Sequence, residues 1–259
     1  VENLYTFNFS HILGFALLFL RMVGFCVSAP IIGTNNVPAP VKVLFSLVLS
    51  SILFPQMSWN KLSVDLESLL IVSMAAKEVF VGLVFGFLAR IFFMTVTMAG
   101  HIISVSLGLS TSQLFNPALG DTSTAFDQFF GILSVLFFFA INGHYSLIVG
   151  LFGTFQIIPV QEMGINFEAF QGIAPLVQHA TALAIKMSAP IMASILIMNL
   201  SIAVIGRAVP QINILVTSLP VNILVGLLVV FISLPLLVWQ MKELMTVMDL
   251  RVFEILKSM

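Results

Sequence analysis

The side chains in this sequence best suited to proton transfer or metal binding near neutral pH are four histidines, His11, His101, His144 and His179. None has a second histidine or a carboxylate three or four positions away, the spacing that sets two ligands on one helix face. The single cysteine, Cys26, excludes an internal disulfide and a cysteine zinc site, and within its apolar run it reads as a small buried hydrophobe. A serine nucleophile would need Ser110 beside His144 or His179, but Ser110 opens a polar loop instead of lying on a helix beneath a cavity. No glycine-rich phosphate loop with a lysine and no haem or flavin motif is present. The expectation is therefore a protein with no catalytic residues, no cofactor and no metal.

Other chemistry lies in charges placed inside hydrophobic stretches: Arg21, the adjacent Lys77 and Glu78, Arg90 and Lys186. An ionised side chain at a bilayer centre costs about 2.5 to 3.5 kcal/mol on insertion scales, so each needs a partner, a water-filled path or an interface. Two readings stand: ion coupling or a pore lining, and pairing with backbone ends or with other subunits. Small residues accompany them. Gly82 and Gly86 form a GxxxG spacing, followed by Gly100 and Gly108, and such a stripe lets helix backbones approach closely. Glu78, Gly82, Gly86 and Gly100 are thus candidate subunit-packing residues.

The stripe leads into the most irregular segment, Gly108 to Ala125, GLSTSQLFNPALGDTSTA. Its Ser, Thr, Gly and Asn content suits an exposed loop. Its Leu114, Phe115, Ala118 and Leu119 suit a loop tucked into a cavity or pore, because a solvated loop gains nothing from them.

The elements that must position these residues follow from composition. The 259 residues are 59% hydrophobic and only 8% charged, with a mean hydropathy of +1.14. Soluble domains carry roughly 25% charged residues, so a soluble enzyme is excluded. A net charge of -1 offers no footprint for nucleic acid. Apolar runs cover Phe9 to Ile32, Val41 to Met57, Leu66 to Met94, Thr95 to Ser110, Phe126 to Pro159, Ile173 to Ile205 and Ile212 to Trp239. A helix spans the hydrocarbon core with about 20 residues, and these runs fit that length unevenly. The first reads as a retained helix, because Arg21 interrupts its core where a cleavable signal keeps its basic residues ahead.

Asn142, Gly143 and His144 divide the run from Phe126 to Pro159 into a hairpin of two short arms. Its flanking loops hold Asp121, Glu162 and Glu168 without Lys or Arg, which places both away from the cytoplasm. Gly206 and Pro210 predict a helix stop and turn, with Arg207 drawing that turn to the cytoplasmic side. Lys242, Arg251 and Lys257 then fall on the far side, against the same tendency. From Gln240 onward, Met241, Leu244, Met245, Met248, Val252, Ile255, Leu256 and Met259 mark an amphipathic helix, to lie on the bilayer or against partner subunits. Eleven prolines are expected to cut the runs into kinked pieces.

Several of these residues carry a family resemblance. Arg21, Pro30 and Val37-Pro38, then Glu78, Gly82, Gly86-Phe87 and Gly100, Phe115-Asn116-Pro117, Asn142-Gly143-His144, and finally Gly206-Arg207-x2-Pro210-Gln211-x-Asn213 with Pro220 and Gly226 resemble the FliR family. These are R subunits of the flagellar type III export gate, with T subunits of injectisomes as virulence counterparts. The likeness runs from about residue 11 to 240, and its most specific parts are the Gly-Arg-x-x-Pro-Gln-x-Asn cluster and Asn-Gly-His. It departs from the family at Asn116 and Asn199, where an Asp is more usual.

The resemblance implies an all-α, non-enzymatic subunit of kinked helices and hairpins in a bacterial inner membrane. It implies a part resembling a P subunit over residues 1–172 and a Q-like hairpin with the C-terminal helix over 173–259. Implied partners are the P and Q subunits, the switch subunit, the large export-gate subunit, membrane lipid and unfolded protein substrates. It further implies a pore loop or plug made of Gly108, Leu109, Ser110, Gln113, Leu114, Phe115, Asn116, Pro117 and Gly120, with Gly108 and Gly120 as hinges. Gly206, Arg207, Pro210, Gln211 and Asn213 would form a cytoplasmic turn that either meets other export components or simply caps a helix end. The rival reading is a secondary transporter for a small solute with Lys77, Glu78 and Lys186 as coupling charges; its usual two related halves are not visible as a repeat.

Overall fold

The computed structural model describes residues 9–57, 68–109, 124–160, 171–209 and 214–258. Among them are seven α-helices and no strand: α1 (Phe9–Ser28), α2 (Ala39–Leu53), α3 (Ser68–Ser106), α4 (Ala125–Ala140), α5 (Gly143–Ile157), α6 (Ile173–Ala208) and α7 (Ile214–Ser258), with a 3₁₀ turn at Phe54–Gln56 after α2. Five helices are long and apolar enough to cross a membrane, and α4 and α5 qualify only as a pair. Helices are the expected answer here, since a chain in hydrocarbon must satisfy its backbone polar groups within each segment.

Several boundaries differ from the sequence expectation. The runs split at Met94 and Thr95 are one helix of 39 residues. The hydroxyl of Thr97 bonds to the carbonyls of Phe93 and Met94 one turn back, so this polar step does not disturb the ladder. Prolines do not cut the long helices either. α6 continues through Pro190, and α7 through Pro220 and Pro235. Those that do mark ends are Pro38, the N-cap of α2, and Pro40 in its first turn, where a missing N–H costs nothing. Gly206 lies within α6, which ends at Ala208, so the predicted glycine stop sits two residues farther on. At the Asn142 break the turn is confined to Ile141 and Asn142, the latter left-handed with φ of 58°, while Gly143 and His144 already belong to α5.

The amphipathic C-terminal segment is the continuation of α7, because no Gly or Pro interrupts the chain between Leu236 and Ser258. Its stripe of Met241, Leu244, Met248, Val252 and Ile255 is buried within this chain. Neither a bilayer surface nor a partner is needed to cover it.

The chain forms two compact units. The first gathers Val1–Ile91, Asn142–Pro175 and Met248–Met259; the second gathers Phe92–Ile141 and Leu176–Val247. In the first, α1 buries Leu17, Leu18, Arg21, Met22, Phe25 and Cys26 on one face, a spacing of three and four. The facing stripe of α3 is Met74, Glu78, Val81, Phe85 and Leu88. In the second, α3 continues the same stripe through Phe92, Val96, Ala99 and Ile103, meeting an aromatic group in which Phe138 lies 5.2 Å from Phe93.

Candidate functional site

The first unit holds a buried ion cluster. Arg21 and Glu78, both fully buried, form a two-pronged pair: Nε donates to Oε2 at 2.5 Å and Nη2 to Oε1 at 3.0 Å. Such parallel charge-assisted bonds are the strong ones. The remaining donors reach α5. Nη1 donates to Thr154 Oγ1 at 3.2 Å, and Nη2 to the Ile158 carbonyl at 2.9 Å. Thr154 in turn donates to the Leu151 carbonyl at 2.6 Å, so its hydroxyl is oriented to accept from the guanidinium. The Phe155 ring lies 4.0 Å from Arg21 Cζ, a cation–π contact that packs the planar head group.

Lys77 adds a second cation. Its Nζ stands 3.3 Å from Glu78 Oε1 and donates to the carbonyls of Pro159 at 2.9 Å and Val160 at 3.3 Å. Two cations thus share one carboxylate and several carbonyls just beyond the C-terminal end of α5, where the helix dipole is negative and favours positive charge. Burial this complete is tolerable only because the charges meet hydrogen-bonding partners in good geometry.

Glycines let the two helices approach closely enough for the pair to form. A Cβ at Gly82 would meet the Arg21 carbonyl and, at 2.8 Å, the Phe25 amide; one at Gly24 would meet the Val79 carbonyl. Gly86 is closed in the same way by Ser28 and Phe25. α1 and α3 therefore touch backbone to backbone beside the ion pair. The GxxxG stripe offered by the sequence is occupied inside the chain, by α1.

The second unit holds the base of the irregular segment. α3 ends in a Schellman arrangement: the amide of Leu109 donates to the Ser104 carbonyl at 3.1 Å and that of Gly108 to Val105 at 3.0 Å, with Gly108 left-handed at φ 82°. Where the chain re-enters, Thr124 and Asp127 form a reciprocal capping box on α4. The two ends are joined directly by Ser104 Oγ donating to Thr124 Oγ1 at 2.6 Å. His101 Nδ1 lies 3.5 Å from Asp127 Oδ2, and Gly100 receives the buried ring of Phe130. Leu107 fills the space that a side chain at Gly226 of α7 would need. Gly108 thus terminates a helix at a fastened point. Ser110, Gln113, Leu114, Phe115, Asn116, Pro117 and Gly120 lie outside the described residues.

The second unit also contains the pair α6 and α7. Asn222 Nδ2 donates to Asn199 Oδ1 at 2.9 Å, and farther from the turn Lys186 Nζ lies 3.8 Å from Glu243 Oε2 and 5.7 Å from the Trp239 ring. Contacts that recede from the turn on both sides define antiparallel helices. Gly206 and Arg207 close α6, with Arg207 exposed; Pro210, Gln211 and Asn213 lie outside the described residues. Arg90 is exposed.

Sequence reasoning missed Gly24, Thr154, Phe155 and the carbonyls of Ile158 to Val160. Backbone acceptors have no side-chain signature. The capping box was legible as Thr124-x-x-Asp127 ahead of an apolar run.

Among the described residues, the Arg21–Glu78 pair bonds inward beside a helix crossing, and the Thr124–Asp127 box and Ser104 fasten helix ends. Residues 12–248 match the family described as bacterial export proteins, family 1. The flagellar biosynthetic protein FliR of Bacillus subtilis (strain 168) is 32% identical over 224 residues, 85% of each chain. FliR of Aquifex aeolicus (strain VF5) is 28% identical over 85% of each chain, and that of Escherichia coli (strain K12) 26% identical over 84% of this chain and 83% of its own. The chain belongs to the bacterial export proteins, family 1, the family of the flagellar biosynthetic proteins FliR.

Proposed function

We propose that this chain is the R-type subunit of a flagellar type III export gate, a non-enzymatic part of the pore through which unfolded flagellar subunits cross the inner membrane. The observation that carries this reading is the family match, which covers residues 12–248. Flagellar rather than virulence export is favoured by the flagellar relatives named above. The partners are the P and Q subunits, with the switch subunit and the large export-gate subunit in contact with the assembled gate.

Residues 1–172 form the P-like part and 173–259 the Q-like part. The antiparallel pairing of α6 and α7 supports a hairpin in the latter. The segment from Gly108 to Ala125 is the plug; support for this comes from its fastened base, which holds both ends of the segment at one place. Arg207, Gln211 and Asn213 meet the export components on the cytoplasmic side. Glu78, Gly82, Gly86 and Gly100 pack helices within the subunit itself; support for this comes from the Arg21–Glu78 pair, the α1 backbone against Gly82 and Gly86, and the Phe130 ring against Gly100.

Purification in mild detergent with membrane neighbours tests the reading. A large, stable hetero-oligomer with one copy of this chain is the expected result, and a monomer that binds a small solute overturns it in favour of a transporter. Deleting residues 110–120 raises ion conductance through the assembled gate; unchanged conductance removes the plug assignment.

A further inference from the structure

We infer that the α6–α7 pair is a lipid-facing hairpin whose hydrocarbon boundary is set by Trp239, Lys186 and Glu243, so that α7 beyond Gln240 stands in water. The argument starts from what each helix exposes. On α7, Leu224, Leu228, Phe231, Ile232, Leu236 and Trp239 are exposed. Three residues after Trp239 the exposed side chains become Lys242, Thr246, Arg251, Glu254 and Lys257, apart from Leu250. The buried face does not change in this way: Val230, Leu237, Leu244 and Met248 are apolar on both sides of Trp239, and the buried polar residues Asn222, Ser233 and Gln240 all precede Lys242. A change confined to the outer face is a change of solvent.

On α6, the exposed large side chains after Lys186 include Leu196, Ile197, Leu200 and Val204, with Asn199 among them; before it, Gln178 and His179 are exposed together with Val177 and Ile185. α6 reaches the same level through Lys186, which lies against Glu243 and Trp239. This trio has the composition of a membrane–water boundary. Trp favours the headgroup level, Lys lays its methylenes along apolar surface while its ammonium stays wet, and both are half exposed, Trp239 at 57% and the Lys186 side chain at 54%.

Length supplies the second boundary. From Lys186 to Arg207, the next exposed cation on α6, the rise is about 30 Å at 1.5 Å per residue, equal to the hydrocarbon thickness of about 30 Å. Within that interval polar side chains find partners inside the pair. Ser194 and Ser201 donate to the carbonyls of Pro190 and Ile197, and Asn222 donates to Asn199. The helices themselves are far longer than the interval, 36 and 45 residues, so each must leave the bilayer at some level.

The test uses the full chain in phosphatidylcholine vesicles. Trp59→Phe leaves Trp239 as the sole tryptophan. Lipids brominated at acyl carbons 6 and 7 should quench its fluorescence at least twofold more than lipids brominated at 11 and 12. Equal or deeper quenching overturns the boundary, and no quenching by either means that protein, and not lipid, covers this face. A second measurement does not depend on Trp59. In vesicles opened by freeze–thaw, Thr246→Cys and Arg251→Cys should react with a charged maleimide at least tenfold faster than Ile232→Cys, the most exposed apolar position of α7 at 79%. Equal rates overturn the inference.

Discussion

Charged residues sit inside apolar runs in both units, and the two units treat them oppositely. In the first, Arg21 and Glu78 are fully buried, bonded in pairs and backed by the carbonyls that follow α5. In the second, Lys186 and Glu243 stand 3.8 Å apart with 54% and 35% of their side chains exposed. A charge in a hydrophobic stretch is therefore no single signal. When it faces a glycine-lined crossing it becomes a clamp between helices. When it lies where the outer face of a helix changes from apolar to polar, it marks a solvent boundary. The rival transporter reading needs exchangeable charges at Lys77, Glu78 and Lys186, yet both carboxylate oxygens of Glu78 are bonded to Arg21.

The contrast is broken most sharply by removing one member of the clamp. Glu78→Ala leaves a buried guanidinium without its carboxylate and should cost about 3 to 5 kcal/mol, read as a lowered unfolding temperature in detergent and less chain in the membrane. The double change Arg21→Met with Glu78→Leu should cost less than the single one, because apolar replacements can substitute for a buried pair. A double variant as unstable as Glu78→Ala would show that the cluster has a role beyond holding helices together.

Gly82→Ala comes next, at about 1 to 3 kcal/mol, since the new methyl group meets backbone that cannot move aside. Its control is Gly131→Ala in α4, where the nearest atom, Thr97 Cγ2, is 3.7 Å away; helix propensity there should add up to about 1 kcal/mol of stability. Thermal unfolding of the two variants side by side measures the difference. Thr124→Ala removes both a cap and the bond to Ser104, with an expected loss of about 1 kcal/mol and faster proteolysis near residue 124. The smallest effect belongs to the exposed pair. Lys186→Gln should change stability by less than about 1 kcal/mol in the same unfolding measurement. A loss as large as that of Glu78→Ala would erase the distinction between the two regions.

Some of this was legible before any coordinates. Arg21 and Glu78 stand out because hydrocarbon forbids unpaired charge, and Gly82 and Gly86 because two glycines four apart flatten one helix face. Their pairing was not legible. Arg21 and Glu78 are 57 residues apart, and the other acceptors of the guanidinium, the Thr154 hydroxyl and the Ile158 carbonyl, are more than 130 residues away. The prolines misled for a related reason. Pro190, Pro220 and Pro235 carry a local penalty, and the long helices they occupy absorb it.

By itself, the sequence determined that this protein is helical and membrane-bound, because those properties follow from the sum of apolar and charged side chains and from local periodicity. It also carried the family likeness in its glycines, prolines and turn residues. Only the tertiary structure decided which charges are clamped and which face outward, and that the glycine stripe of α3 is filled by α1. It also decided that the amphipathic end of α7 is covered within the chain. Each of those outcomes depends on contacts between residues far apart in sequence, and contact at a distance is set by packing, which composition and period do not encode.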